Sequence, residues 1–268
     1  MYTVNDFFSG CGGLSQGFKE AGFKIQVGID KDETFLKTFS HNFQDSKTMH
    51  LDLGNDDDLD IIPKADIIIA GPPCQGFSLT GPRNIDDSRN KLYLSVFKTL
   101  KLNNPKAFLV ENVRGLKTMW EGMVFKEILK KFESAGYNVA ESLLNSADYG
   151  VPQIRHRIFI VGIRKDLDKK FEFPKVEFEK KNYISCEEAI GNLPGLEDEK
   201  LANIQYSIKP ITDYQKYIMD SNKLYNHEAT LHKKFVKETI ALVPEGGNYK
   251  NLPKGIGDSR KFNEAWTR

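Results

Sequence analysis

The chain has 268 residues, 40% hydrophobic and 28% charged, and its 38 Lys plus Arg nearly balance its 37 Asp plus Glu. That length allows one large α/β domain with a smaller appendage and excludes two full enzymatic domains. No apolar run approaches the ~20 residues of a membrane span, and the start from Met1 lacks the basic, apolar and small-residue succession of a secretory signal; the expectation is a soluble, cytoplasmic protein.

The three cysteines, Cys11, Cys74 and Cys186, are odd in number and lack C-x-x-C spacing, so neither a disulfide framework nor a metal site is indicated. Charge is unevenly spread. Residues 45–66 hold seven aspartates and two lysines, whereas residues 150–181 hold nine Lys or Arg against five Asp or Glu. The basic stretch could bind phosphates, although a solvated surface is the simpler account of such runs.

Thr3 to Phe8 is β-rich and ends at Ser9-Gly10-Cys11-Gly12-Gly13, after which Leu14, Phe18 and Ala21 share one helical face. A strand over Ile25–Ile29, a helix over Thr34–Phe43 and a short strand over Met49–Leu53 follow. Asp66–Ala70 is a compact apolar strand that stops at Gly71-Pro72-Pro73, because proline cannot donate to a ladder. Tyr93, Val96, Phe97 and Leu100 mark a helix, Ala107–Val110 a fifth strand running out at Glu111-Asn112, and Phe125, Ile128, Leu129 and Phe132 another helix. Tyr137–Leu144 and Arg157–Ile163 read as an antiparallel pair closing the sheet. This alternation predicts an α/β, Rossmann-like doubly wound sheet over residues 1–165. Residues 166–268 form a weaker, partial region with a short helix over Cys186–Ile190 and one more within Asn226–Leu242.

The glycine turn brings backbone close to any ligand at a helix start, which alone suits a nucleotide-like cofactor or a merely tight turn. Asp30 closes the second strand, where doubly wound proteins bind a ribose diol; Asp52, closing the third, could accept from an adenine amino group. Each could equally be a solvated loop carboxylate. Cys74 follows two stiffening prolines beyond the end of a buried strand, where open α/β sheets place ligands. A working thiolate needs nearby positive charge, for which Arg89, Arg155 and Arg157 are candidates. Glu111 ends the neighbouring strand, and a thiol beside a carboxyl suits covalent addition with general-acid help. Gln153, Arg155 and Arg157 should alternate onto one side of a strand and could hold a base carbonyl and phosphate, or be ordinary solvated side chains.

Taken in order, DFFSGCGG (Asp6–Gly13), GPPCQGFS (Gly71–Ser78), DDSRNKL (Asp86–Leu92), ENV (Glu111–Val113), DYGVPQ (Asp148–Gln153) and QIRHR (Gln153–Arg157) resemble the motif set of the DNA cytosine-5 methyltransferases. The resemblance implies S-adenosylmethionine as donor, with S-adenosylhomocysteine as product and no metal, and double-stranded DNA as substrate. It implies Cys74 as nucleophile at cytosine C6, Glu111 at N3, and Arg155 and Arg157 on the flipped base. Phe8, Ser9, Gly10, Cys11, Gly12, Gly13, Asp30, Asp52, Leu53, Pro72 and Leu92 would form the donor site. Gln75, Ser78, Arg89, Asn112 and Gln153 would meet the substrate. Asp30 departs from the glutamate of many relatives. The family's later motifs, an Arg-Glu pair and a Gly-Asn element, are not found before Arg268, so the expectation is the catalytic front part of a split or truncated enzyme, with a second polypeptide as a candidate partner. A role in bacterial restriction-modification is expected on family grounds. Alternatives are a transfer-RNA cytosine-5 methyltransferase, whose usual Cys-Phe-Thr signature is missing here, and an inactive subunit of a split enzyme.

Overall fold

The structure, a computed structural model, describes residues 1–55, 58–73, 92–195, 208–219, 224, 226, 227 and 231–256. It divides into two compact units, Met1–Tyr149 with Ile154–Glu179, and Gly150–Gln153 with Lys180–Arg268.

The first unit contains strands β1 (Thr3–Phe7), β2 (Lys24–Asp30), β3 (Lys47–His50), β4 (Ile67–Ala70), β5 (Ala107–Val113), β6 (Tyr137–Asn145) and β7 (His156–Arg164). They form one sheet in the order β3-β2-β1-β4-β5-β7-β6. The first five strands pair in parallel, and β7 runs antiparallel to both β5 and β6. The doubly wound sheet and its antiparallel close are therefore as the sequence predicts. Helices α1 (Gly13–Glu20), α2 (Glu33–Asn42), α3 (Tyr93–Asn103), α4 (Gly115–Thr118) and α5 (Met123–Ser134) complete the unit.

Alternation of side chains along the strands explains why helices cover both faces. Ile68, Ala70, Phe108 and Val110 join one apolar cluster with Val96 and Leu100 of α3 and Phe125, Ile128 and Phe132 of α5. Ile67, Ile69 and Leu109 face the other way, toward Phe39 of α2, Phe43, and Leu14 and Phe18 of α1. Burying one such side chain contributes about 1.5–3 kcal/mol. Two glycines allow the closest approaches: a Cβ on Gly28 would overlap the Phe39 ring, and one on Gly162 the Phe108 ring.

Three local expectations need correction. The third strand ends at His50, so Asp52 lies in the turn beyond it; only Val27–Asp30 of β2 are available to pair with it. The fifth strand continues through Glu111 and Asn112 to Val113, because β7 pairs with it up to Val113 opposite Arg157. That last strand starts at His156, which leaves Gln153 and Arg155 outside the alternating register.

In the second unit, α6 (Cys186–Ile190) and α7 (Asp213–Ile218) each start with a reciprocal capping box, Ser185 with Glu188 and Thr212 with Gln215. The Thr212 hydroxyl also donates to the Glu188 carbonyl at 2.7 Å. A third helix, α8 (Lys234–Ala241), occupies only part of the predicted 226–242 range. The sequence reading did not foresee α7, although its T-x-x-Q pattern is a capping signal.

Candidate functional site

The carboxyl ends of β1, β2 and β4 meet around the glycine turn. Phe8 takes a left-handed conformation (φ 57°), an uncommon one for an aromatic residue. The turn is pinned from below: Ser9 N donates to the Ile29 carbonyl at 3.0 Å, and Gly10 N donates to Asp30 Oδ2 at 2.9 Å. Gly12 has φ 96° and packs so tightly on Phe43 that a Cβ would overlap the ring. Asp30 also accepts from Asp32 N through Oδ1 at 3.0 Å, and Asp32 caps α2 by accepting from Thr34 N at 2.8 Å. One carboxylate thus ties the turn to the next helix.

A cavity of about 320 Å³ opens here, within the usual size range of small-molecule sites. Of the expected donor-site residues, Phe8, Gly10, Asp30, Asp52, Leu53 and Leu92 line it. Asp52 Oδ1 accepts from Gly54 N at 2.9 Å, so the carboxylate shapes its own turn while facing the cavity. Ser9, Cys11, Gly12, Gly13 and Pro72 are not part of the wall, although the four turn residues build the loop that forms it. Lys31, Asp32, Phe35, Leu51, Gly71 and Pro73 line it without having been foreseen. Lys31, Leu51, Gly71 and Pro73 directly flank expected positions, whereas Asp32 and Phe35 are brought in by the start of α2.

Beneath the turn, Asp6 is 1% exposed and accepts the Ser15 hydroxyl through Oδ2 at 2.6 Å. Burial pushes its carboxyl up to about 7, opposed by the Ser15 hydrogen bonds and reinforced by the negative charge of Asp30. Asp6 Oδ1 and the buried Ser9 hydroxyl have no hydrogen-bond partner among the described residues. Leaving such groups unmatched costs about 1–3 kcal/mol each, so the turn carries unused polar capacity next to the cavity. Three acids, Asp30, Asp32 and Asp52, with one lysine, a backbone turn and apolar walls suit a ligand with a diol, a nucleobase and positive charge.

On β5, Glu111 Oε1 lies 2.9 Å from Arg157 Nε. Burial raises the Glu111 pKa above its ordinary value, while Arg157 and then Arg155 pull it back. A Cβ on Gly71 would lie 3.9 Å from Glu111 Oε2, so this carboxyl borders the β4 end that also lines the cavity. Asn112 Nδ2 donates to the Pro72 carbonyl at 3.3 Å, holding the two strand ends together. Arg155 is exposed, its backbone N–H donating to Asn145 Oδ1 at 3.1 Å. Cys74, Gln75, Ser78 and Arg89 lie outside the described residues, and Gln153 falls in the second unit. Among the described residues there is no group of three His, Cys, Asp or Glu placed to hold a metal, and no helix long and apolar enough to cross a membrane.

Residues 2–264 match the family described as C-5 cytosine-specific DNA methylase. The chain is 36% identical to the Type II methyltransferase M.DdeI of Desulfomicrobium norvegicum over 260 residues, covering 93% of this chain and 63% of that protein. It is 34% identical to the Type II methyltransferase M1.HphI of Haemophilus parahaemolyticus, covering 97% of this chain and 67% of that one. The chain thus spans about two thirds of the length of these curated relatives. Among solved structures, it is similar to a prophage-encoded Escherichia coli protein assigned as a DNA modification methyltransferase, with a TM-score of 0.73 and 27% identity, covering 93% of this chain and 78% of the other.

Proposed function

This chain belongs to the C-5 cytosine-specific DNA methylase family, and on that premise we propose that it methylates C5 of a cytosine flipped out of double-stranded DNA, with S-adenosylmethionine as donor and Cys74 as nucleophile. The observation that carries this reading is Glu111: a partly buried carboxyl, bridged to Arg157, beside the strand end that leads into Pro73-Cys74 and lines the cavity.

Asp30 would hold the donor's ribose and Asp52 its adenine amino group, with Phe8, Leu53 and Leu92 as walls and the Ser9–Gly13 turn along the rest. The donor would supply an electrophilic methyl group on a sulfonium; C5 would gain that methyl as the sulfonium S–C bond breaks, leaving the neutral thioether S-adenosylhomocysteine. Cys74 Sγ, as thiolate, would add to C6 and push electron density to C5. Glu111, whose burial favours its protonated form, would donate a hydrogen bond at N3, and Arg157 with Arg155 would hold the base carbonyl and the adjacent phosphate. Loss of the C5 proton and expulsion of the thiolate from C6 then restore the aromatic ring and free Cys74. Residues 1–165 would carry catalysis and donor binding, and residues 166–268 the first part of a recognition region; Gln75, Ser78, Arg89, Asn112 and Gln153 would contact DNA. Bacterial restriction-modification is its proposed setting, in keeping with the Type II relatives.

Trapping tests the chemistry. With S-adenosylmethionine and a duplex carrying 5-fluorocytosine, which has no C5 proton to lose, the chain should form a stable adduct that Cys74→Ser abolishes. Glu111→Gln should slow adduct formation about 10²- to 10⁴-fold, the usual contribution of a positioned acid. An adduct that survives Cys74→Ser would remove Cys74 from the mechanism.

A further inference from the structure

We infer that Phe35 is the aromatic shelf on which the purine ring of the adenosine-bearing ligand stacks, making it a specificity-determining residue of the cavity; this rests on reading that cavity as the donor site. Helix α2 turns Leu36 and Phe39 into the core, at 5% and 0% exposure. Phe35 does the opposite. It is 46% exposed, although a large aromatic ring on a helix otherwise packed on its sheet gains nothing from water. Its exposure coincides with the cavity wall, where it joins Leu51, Asp52 and Leu53 on the β3 side and Asp30 at the end of β2.

This grouping matches a nucleobase in each of its parts. Asp52 can accept from an exocyclic amine at the ring edge, Leu51 and Leu53 give apolar contact, and an aromatic face takes the π-surface. Asp30 sits where a sugar joined to that base would project its hydroxyls. Phe35 is at the third position of α2, whose start is fixed by the Asp32 cap; Asp32 N is in turn bonded to Asp30. The proposed ribose ligand and the proposed purine shelf are thereby held in one short, internally bonded segment. Lys31 also lines the cavity, but its cationic tip is a poorer surface for a neutral purine than a phenyl ring.

Calorimetric titration of the full 268-residue chain with S-adenosylhomocysteine tests this, with Phe35→Ala, Phe35→Leu, Phe35→Tyr and Lys31→Ala compared at matched thermal stability. Loss of one base–aromatic stack should weaken binding by about 10-fold or more. Phe35→Ala and Phe35→Leu should both show it, whereas Phe35→Tyr and Lys31→Ala should bind within about 2-fold of the parent chain. Phe35→Trp supplies an independent readout, since saturating S-adenosylhomocysteine should quench the added indole fluorescence. Full affinity in Phe35→Leu, or a loss in Lys31→Ala that exceeds the loss in Phe35→Ala, would overturn the assignment while leaving the donor site in place. If the unsubstituted chain binds no S-adenosylhomocysteine, the donor-site reading fails and the shelf with it.

Discussion

In the first unit, Phe7, Phe39, Phe108, Phe132, Ile158 and Ile160 are all at most 1% exposed, packed against a seven-stranded sheet. In the second, the buried apolar side chains among the described residues are Ala189 and Val243, at 2% and 9% exposure, while Ile211 and Leu231 are more than 70% exposed. Order there comes from caps and short hydrogen bonds, such as the two capping boxes and the His227 Nε2 contact with the Pro194 carbonyl at 2.8 Å. The contrast teaches that site precision and burial go together here. Every cavity-lining residue belongs to the unit whose backbone is held by a deep core, and a ligand pocket can be rigid only where its supports are.

Substitutions can break or sharpen that contrast. The largest effect is expected for Phe108→Ala, which removes a ring in contact with Phe132 and Tyr137 at centroid distances of 4.7 and 5.2 Å. A core truncation of this kind should cost about 3–5 kcal/mol in urea unfolding. A cost near zero would mean that the sheet core is not what stabilises the first unit.

Asp6→Asn should give a smaller, pH-dependent effect. The Asp6 pKa is raised in the fold to about 7 from 3.8, so the folded chain binds this proton more tightly than the unfolded one. Its contribution to stability is then fully present below about pH 4 and is lost as pH rises toward 7, on the order of 1 kcal/mol per pH unit. Asparagine keeps an acceptor for Ser15 and does not ionise. The stability of Asp6→Asn relative to the parent chain should therefore improve between about pH 4 and pH 7 and level off above that, and a flat difference between about pH 4 and pH 7 would refute the buried-acid account.

In the second unit, Ser185→Ala removes the hydroxyl half of the α6 capping box, leaving the Ser185 backbone N–H still able to donate to Glu188, and should cost about 1 kcal/mol, read as faster amide exchange confined to residues 186–190. The smallest effect is expected at Leu231→Ser, at 72% exposure: a change within about 0.5 kcal/mol in thermal unfolding. A large loss there would show that the second unit depends on apolar contacts as the first does.

The alternation of strands and helices, the glycine turn and the adjacency of the β4 and β5 ends were all legible in the sequence, because periodicity and punctuation by Gly and Pro are local properties. So were Asp30 and Asp52 as cavity residues, through their places after apolar strands. What the sequence could not convey depends on partners far along the chain. The continuation of β5 through Glu111 is decided by pairing with β7, whose Arg157 lies opposite Val113, and the same pairing puts that arginine on the carboxyl it neutralises. The early end of β3 reflects an edge strand with a single neighbour. That each Asp30 oxygen accepts one backbone N–H, that Asp6 is desolvated enough to titrate near neutrality, and that Phe35 faces a cavity while Leu36 faces the core are results of packing. Residue type and spacing determined which groups could do chemistry here, and only the tertiary structure decided which meet and how far each is removed from water, because hydrogen-bond partners and desolvation are set by neighbours in space rather than in sequence.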